Sequence, residues 1–387
     1  MNPVLHTREL SVGYQHKIVV SGLTFHANAG EILTLIGPNG AGKSTVLKTI
    51  AAQLPPISGT IALCGDSLVG LSPHEVATRI SLLLTGKPAA ERMTCFDVAA
   101  TGRYPYTGRF GLLSSKDREI VHDALCMVEA ESLADTDFRC ISDGQRQIVM
   151  LARAIAQQPR ILLLDEPTSY LDISHKLRIL TRLRTLAKER QIAVIQSLHE
   201  LDLAQKFSDS VLCIHAQRAE RYGTPEEIFS GDYISTLYGI STGKYDPLYG
   251  TAEASPVTGK PRIFVIGGNG SGIPVYRKLH RAGIPFAAGI LHENDVDCPA
   301  AHALGAKVIT ERAFEPISDA TYQEAETCLR QCEAVYCSLP AFGTGNARLA
   351  VLRDFAEKSH LLIQDLQTWL RSDMESTCNT HTTLTDH

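Results

Sequence analysis

Residues 31–45 read EILTLIGPNGAGKST: a short apolar run enters a glycine-rich turn, and a helix-forming segment begins near Lys43. Gly37, Pro38, Asn39, Gly40, Ala41, Gly42, Lys43 and Ser44 fit the eight-position pattern G-x-x-x-x-G-K-[ST] between strand and helix, with Thr45 directly after it. Glycines at 37, 40 and 42 let backbone N–H groups turn inward onto phosphate oxygens, and the start of the following helix adds partial positive charge. Lys43 is placed to reach β- and γ-phosphates, and Ser44 to offer its hydroxyl to Mg²⁺. The alternative, a glycine-rich turn with an incidental lysine, leaves the match and its strand–helix context unexplained.

A phosphate loop alone hydrolyses nothing; a carboxylate must stand at the end of a neighbouring strand. ILLLDEP, residues 161–167, provides an acidic pair there. Asp165 suits a metal held through water, and Glu166, on the opposite face, is placed to polarise a water for in-line attack. A plainer reading has the pair capping a helix that begins at Pro167 and Thr168.

Around these landmarks the chain changes texture. Residues 1 to about 70 read as short β segments about the glycine turn, and Ser72 to about Cys140 as polar helix broken at Pro88, Gly102, Pro105 and Gly108. Apolar strand-like runs return at 161–165 and 192–197. A helical insert, about residues 86–145, thus interrupts an α/β domain.

The segment ISDGQRQIVMLARAIAQQPRILLLDEPTSYLD, residues 141–172, resembles the nucleotide-binding subunit of an ABC transporter. The signature of that family matches Ile141–Gln145, its D-loop Ser169–Asp172, and its switch histidine His199. Tyr14 falls where such proteins stack a ring on adenine. The resemblance spans about residues 3–250 and implies a P-loop NTPase with a RecA-like core, an N-terminal antiparallel β subdomain and a helical insert. It also implies ATP and Mg²⁺ as cofactors and two cassettes packed head to tail. Ser142, Gly144, Gln145 and Asp172 of each would then meet the nucleotide bound by the other. His199 would hold the γ-phosphate and the attacking water in register. One departure stands out: Thr85 lies where the family has a glutamine that touches Mg²⁺ and that water.

By the same resemblance the partners are a second copy of this chain, integral-membrane permease subunits and, indirectly, a periplasmic or extracellular substrate-binding protein. The expected location is cytoplasmic, peripheral on the inner face of the membrane through the permease. Residues 94–110, TCFDVAATGRYPYTGRF, mix Phe96, Tyr104, Tyr106 and Phe110 with Arg103 and Arg109, a composition suited to a partner groove. The wording GRYPYTGRFG, SSKDREIV and GTPEEIF is similar to the ATPases of iron-siderophore, heme and cobalamin importers. Two rival readings are a soluble ABC ATPase uncoupled from transport and, because of Thr85, a nucleotide-gated regulator with weak ATPase activity.

The stretch from Gly239, with a linker at residues 251–261, is dense in Gly, Ser, Thr and Pro. From Arg262 to residue 372, apolar runs alternate with helix-like stretches, predicting a second, Rossmann-like α/β domain. Its turn, with Gly267, Gly268, Gly270 and Gly272, misses the dinucleotide fingerprint because Ile273 stands in the place of the third glycine. Glu293 and Asp295 follow about where a ribose-binding acid would lie. A small phosphate-bearing ligand and a domain without a nucleotide both remain open readings. His280, His292 and His302 read as surface or capping residues. Residues 373–387 are polar and expected to be disordered.

Composition narrows the classes further. The chain has 387 residues, is 44% hydrophobic and 20% charged, and carries a net charge of −5, as expected of a folded protein with two or three domains. Residues after Ser255 hold 12 basic and 15 acidic side chains, leaving 25 and 27 before it, so neither half attracts nucleic acid. Ten cysteines without a CxxC pair argue against zinc. No apolar run reaches 18 residues, so no membrane-spanning helix is expected.

Overall fold

The computed structural model describes residues 3–84, 92–108, 110–240, 243–246, 250–253 and 255–372. Thr85, Arg109 and the stretch 373–387 lie outside the described residues. The chain divides into two compact units, Met1–Gly239 with Pro247–Thr251, and Ile240–Asp246 with Ala252–His387.

The first unit is built on a mixed sheet of ten strands. In chain order these are β1 (Leu5–Tyr14), β2 (Lys17–Ala27), β3 (Ile32–Ile36), β4 (Ser58–Leu63), β5 (Asp66–Ser67), β6 (Ile80–Leu83), β7 (Ile161–Asp165), β8 (Ala193–Ser197), β9 (Ser210–His215) and β10 (Arg218–Gly223). Their spatial order is β5-β4-β1-β2-β10-β9-β3-β8-β7-β6. At one side β1 pairs antiparallel with β2 and β4. At the other, β9, β3, β8, β7 and β6 run parallel. Every residue of β3, β7 and β8 is buried, which explains their unbroken apolar texture: helices cover both faces, so alternation has no solvent side to report.

The helical insert comprises Cys95–Ala100, a 3-10 turn at Thr101–Tyr106, Ser115–Met127 and the start of Asp143–Ala156. A buried ion pair fastens it: Arg103 Nε donates to Asp117 Oδ1 at 2.9 Å, and Arg103 Nη1 to the Ala156 carbonyl at 2.8 Å. The Tyr106 ring lies against the same guanidinium, 4.1 Å from its centre.

The second unit has β13 (Ile263–Ile266), β14 (Phe286–His292), β15 (Lys307–Glu311), β16 (Ala334–Cys337) and β17 (Leu362–Ile363), all parallel, in the order β15-β14-β13-β16-β17. Chain order reverses between β13 and β16, the switch point at which parallel sheets open a crevice. Along β13, Ile263 and Val265 enter one core while Phe264 and Ile266 enter the other, as the two-residue repeat of a strand requires. The stretch after Gly239, dense in Gly, Ser, Thr and Pro, contains two short paired strands, β11 (Lys244–Asp246) and β12 (Thr251–Glu253). At three residues each they are too short to leave a periodic signal.

Candidate functional site

Five helices of the first unit, starting at Pro73, Cys95, Ser115, Asp143 and Pro225, open with a capping box from Ser72, Thr94, Ser114, Ser142 or Thr224. The helix Lys43–Ile50 does not. Its N-cap is Gly42, no side chain accepts from its first turn, and no acid stands there. Its leading N–H groups and positive dipole end are therefore left for an anion.

The loop before it is tightly constrained. Gly37 adopts φ 148°, and a Cβ there would lie 2.1 Å from the Ile214 carbonyl oxygen of β9. Gly42 has φ 105°, and β2 closes over it so that a Cβ would meet Val20 at 2.5 Å. Lys43 is buried and donates to the carbonyls of Gly37 at 2.7 Å and Pro38 at 3.1 Å. Burial lowers the pKa of its ammonium, against the opposing pull of Glu166 and Asp165.

The acid pair stands at the end of β7, and the phosphate-loop helix packs against that strand. Ser197 at the end of β8 pins both acids: its Oγ donates to Asp165 Oδ1 at 2.8 Å and accepts from the Glu166 amide at 3.0 Å. Asp165 is buried. Glu166 turns out of the strand with φ 50°. Its Oε1 lies 2.5 Å from His199 Nε2, and its Oε2 accepts from Ser169 Oγ at 2.9 Å. Burial raises the Glu166 pKa, but the bonds from His199 and Ser169, with the charges of His199 and Lys43, outweigh it and the net shift is downward. Glu166 is thus an ionised acceptor at neutral pH. The plainer reading of the pair as a helix cap does not hold, since the next helix starts at Ile173 and is capped by Asp172.

Asp172 itself is engaged, accepting from the His175 amide at 2.9 Å and lying 2.8 Å from His175 Nδ1. Ser142 is exposed and Gln145 half-buried; each bonds the other's backbone, closing the start of their own helix. Gly144 lies against the Tyr170 carbonyl and Leu171. Among the described residues no hydrogen bond joins Ser142, Gly144 or Gln145 to residues 37–45. Tyr14 closes β1 opposite Lys17 with its ring 48% exposed.

Two corrections concern the insert and the second unit. Arg103 was expected on a docking surface but is buried in the ion pair with Asp117, because its guanidinium finds acceptors on two helices. Among the described residues the exposed large apolar side chains of the insert are Tyr104, Tyr106, Phe110 and Leu112. Asp295, read as a ribose ligand, turns inward onto the Asn269 amide. His280 and His292 bond the carbonyls of Ser255 and Glu315. Sequence reasoning passed over Tyr238, whose hydroxyl accepts the Gly37 N–H, and Ser197; both reach the site across more than 30 residues of chain and neither belongs to a motif.

A 278-residue stretch is 42% identical to "Uncharacterized ABC transporter ATP-binding protein MJ0873" of Methanocaldococcus jannaschii, covering 71% of this chain and 96% of that one. The chain belongs to the ABC transporter ATP-binding proteins. The ABC transporter family profile matches residues 20–169, and that of the MJ0874 family matches residues 286–379. The cobalamin import ATP-binding protein BtuD of Halobacterium salinarum is 32% identical over 304 residues, 76% of each chain. The petrobactin import ATP-binding protein FpuD of Bacillus anthracis is 34% identical over 260 residues, 66% of this chain and 94% of its own. Among solved structures, a metal-chelate type ABC transporter in an inward-facing conformation superposes with TM-score 0.54 at 27% identity, over 61% of this chain and 89% of that one. A dimeric cassette, MJ0796, bound to ADP and Pi matches with TM-score 0.52 at 24% identity, over 57% and 99%, a likeness of fold. This chain is therefore an ABC ATPase that binds ATP: the ATP-binding subunit of an ABC transporter, with an MJ0874-family α/β domain attached. Among the described residues no helix is long and apolar enough to cross a membrane.

Proposed function

We propose that this ABC ATPase hydrolyses ATP to energise an importer of metal chelates, of the iron-siderophore, heme or cobalamin class. The observation that carries the hydrolytic part is the uncapped start of the helix Lys43–Ile50, on the one side, and the acid pair fixed by Ser197 on the other. The glycine loop and Lys43 receive the triphosphate. Ser44 and, through water, Asp165 would hold Mg²⁺, which when bound neutralises phosphate charge and orients the triphosphate. Glu166 takes a proton from the attacking water as its oxygen bonds the γ-phosphorus and the bond to the β-phosphate oxygen breaks, leaving ADP and phosphate. His199 holds Glu166 in position through its 2.5 Å contact. Tyr14, half exposed, offers a ring to adenine.

Since Ser142, Gly144 and Gln145 close on their own helix, their contribution to a nucleotide requires a second copy of the chain. The exposed Tyr104, Tyr106, Phe110 and Leu112 form the surface for the permease, which would hold the protein at the cytoplasmic face of the membrane. Cargo class rests on relatives named for cobalamin and petrobactin import and on the metal-chelate transporter fold. ATP turnover by the purified chain, abolished by Glu166→Gln, supports this reading; equal rates in both would refute Glu166 as the base. A second reading follows from Thr85 in the glutamine position: a nucleotide-gated regulator, which would bind ATP with Lys43-dependent affinity yet show no turnover above that of Glu166→Gln.

A further inference from the structure

The second unit repeats the strand–glycine turn–helix arrangement of the first, and the two turns differ in what sits on their amide groups. In the first, the helix start at Lys43 is uncapped. In the second, the turn Gly268–Gly272 is filled from within. The Asn269 N–H donates to both carboxylate oxygens of Asp295, at 2.9 and 3.0 Å, and the Gly272 N–H donates to Asp297 Oδ2 at 2.8 Å. The amides of Gly268 and Ile273 also point to Asp297. Asp297 is wholly buried, and its own amide donates to Asp295 Oδ1 at 2.9 Å, so the two acids are locked together. Two side-chain carboxyl groups thus occupy the place a pyrophosphate takes in a dinucleotide fold, and the amides a second anion would need are already paired.

Beside this plugged turn a cleft of about 580 Å³ opens over the C-terminal ends of the parallel strands, within the size range of small-molecule sites. Its walls come from the loops after β13, β14, β15 and β16 and include Asn269, His292, Asp295, Phe314, Glu315 and Thr344. The Phe314 ring is 90% exposed, on a backbone with φ 65°. Its loop is tied at both ends by Glu311, which accepts the Arg312 amide at 3.0 Å and the Ser318 amide at 2.7 Å. His292 Nε2 lies 2.9 Å from the Glu315 carbonyl and ties the middle. An apolar ring held out on a pinned loop, in a cleft also lined by Glu315, matches a ligand with one flat apolar face and O–H or N–H donors.

We infer that the cleft of the second unit is a binding site for a phosphate-free, donor-rich planar ligand, with the chemistry of a nucleoside rather than a nucleotide. The planar face would lie on Phe314 and the donors on the Glu315 carboxylate. The test is calorimetric titration of the full chain carrying Lys43→Ala, which silences the phosphate loop of the first unit, with adenosine and with ADP-ribose. Adenosine should saturate at concentrations below about 1 mM and bind at least about tenfold more tightly than ADP-ribose. Phe314→Ala, at an exposed side chain, and Glu315→Gln should each weaken adenosine about tenfold. Asp295→Ala, by freeing the Asn269 amide and removing a charge, should improve ADP-ribose binding. Tighter binding of ADP-ribose than of adenosine to the Lys43→Ala chain would overturn the inference, as would adenosine binding unchanged when Phe314→Ala and Glu315→Gln are each added to it. So would the absence of saturation by adenosine.

Discussion

The Tyr238 hydroxyl accepts the backbone N–H of Gly37 at 3.0 Å, tying the first residue of the phosphate loop to a tyrosine 201 positions later in the chain. Burial pushes the Tyr238 hydroxyl up to about 12, so it stays neutral wherever the enzyme works. Tyr238→Phe leaves that amide unpaired, at a cost of about 1–3 kcal/mol. Part of this should fall on the loop's fit to phosphate: KM for ATP rises about fivefold while kcat changes little. Steady-state kinetics at saturating and limiting ATP separate the two; a fall in kcat at constant KM would contradict a positioning role.

Gly37→Ala should be far more severe than alanine at Gly40, where open space surrounds the site of a Cβ although φ is also positive. At Gly37 the new methyl meets the Ile214 carbonyl, and either β9 or the loop must move. The expected loss is on the order of 3 kcal/mol or more, against about 1 kcal/mol for Gly40→Ala. Urea denaturation of the two variants checks the ranking.

The insert separates a structural arginine from a surface of aromatics. Arg103→Ala strands the half-circle of acceptors around Asp117, Ala156 and Gln158 and should cost about 3 kcal/mol of stability. Tyr104→Ala and Phe110→Ala remove exposed rings and should leave the melting temperature nearly unchanged while weakening co-purification with the permease. Melting curves and pull-downs of the same three variants give opposite orders if the assignment is right.

Acid should loosen the second unit through Glu311. Its carboxylate accepts the Ser318 and Arg312 amides and is held down to about 2. A group depressed in the folded state contributes stability above its unfolded value, about 4.3, and loses it as pH falls toward 2. Thermal melting between pH 6 and pH 3 should therefore show a steeper decline in the parent protein than in Glu311→Gln, which lacks the titrating group. Parallel curves would exclude Glu311 as the pin of the Phe314 loop.

The parts of the site written in consecutive residues were open to reading from the sequence: the glycine turn with Lys43, and the acids closing an apolar strand. Their chemistry depends on local backbone shape, which the local sequence dictates. His199 was legible only through resemblance, because nothing around it marks a contact with Glu166. Ser197 had no signal, since its role arises from β8 lying beside β7, and neither had Tyr238, which reaches Gly37 from the end of the helix Tyr233–Leu237; neither contact follows from a spacing along the chain. Arg103 was misplaced for a related reason: composition records that a segment is aromatic and basic, not which side chains find buried acceptors. In the second unit the glycines were seen, but the plugging of their amides by Asp295 and Asp297 required the turn after β14 to fold back across the turn after β13.

The boundary between the units is not a point. The first unit takes in the chain up to Gly239 and again around Gly250, which lies close to Asp202 and Gln205. A gene trimmed at codon 239 would therefore express an ATPase without the backbone that Gly250 lays beside Asp202 and Gln205. One trimmed before codon 238 would also delete the anchor of its phosphate loop. Dissection of this protein for separate assays should place the cut beyond residue 251, and a library of nested deletions should show soluble yield collapsing in two steps rather than one.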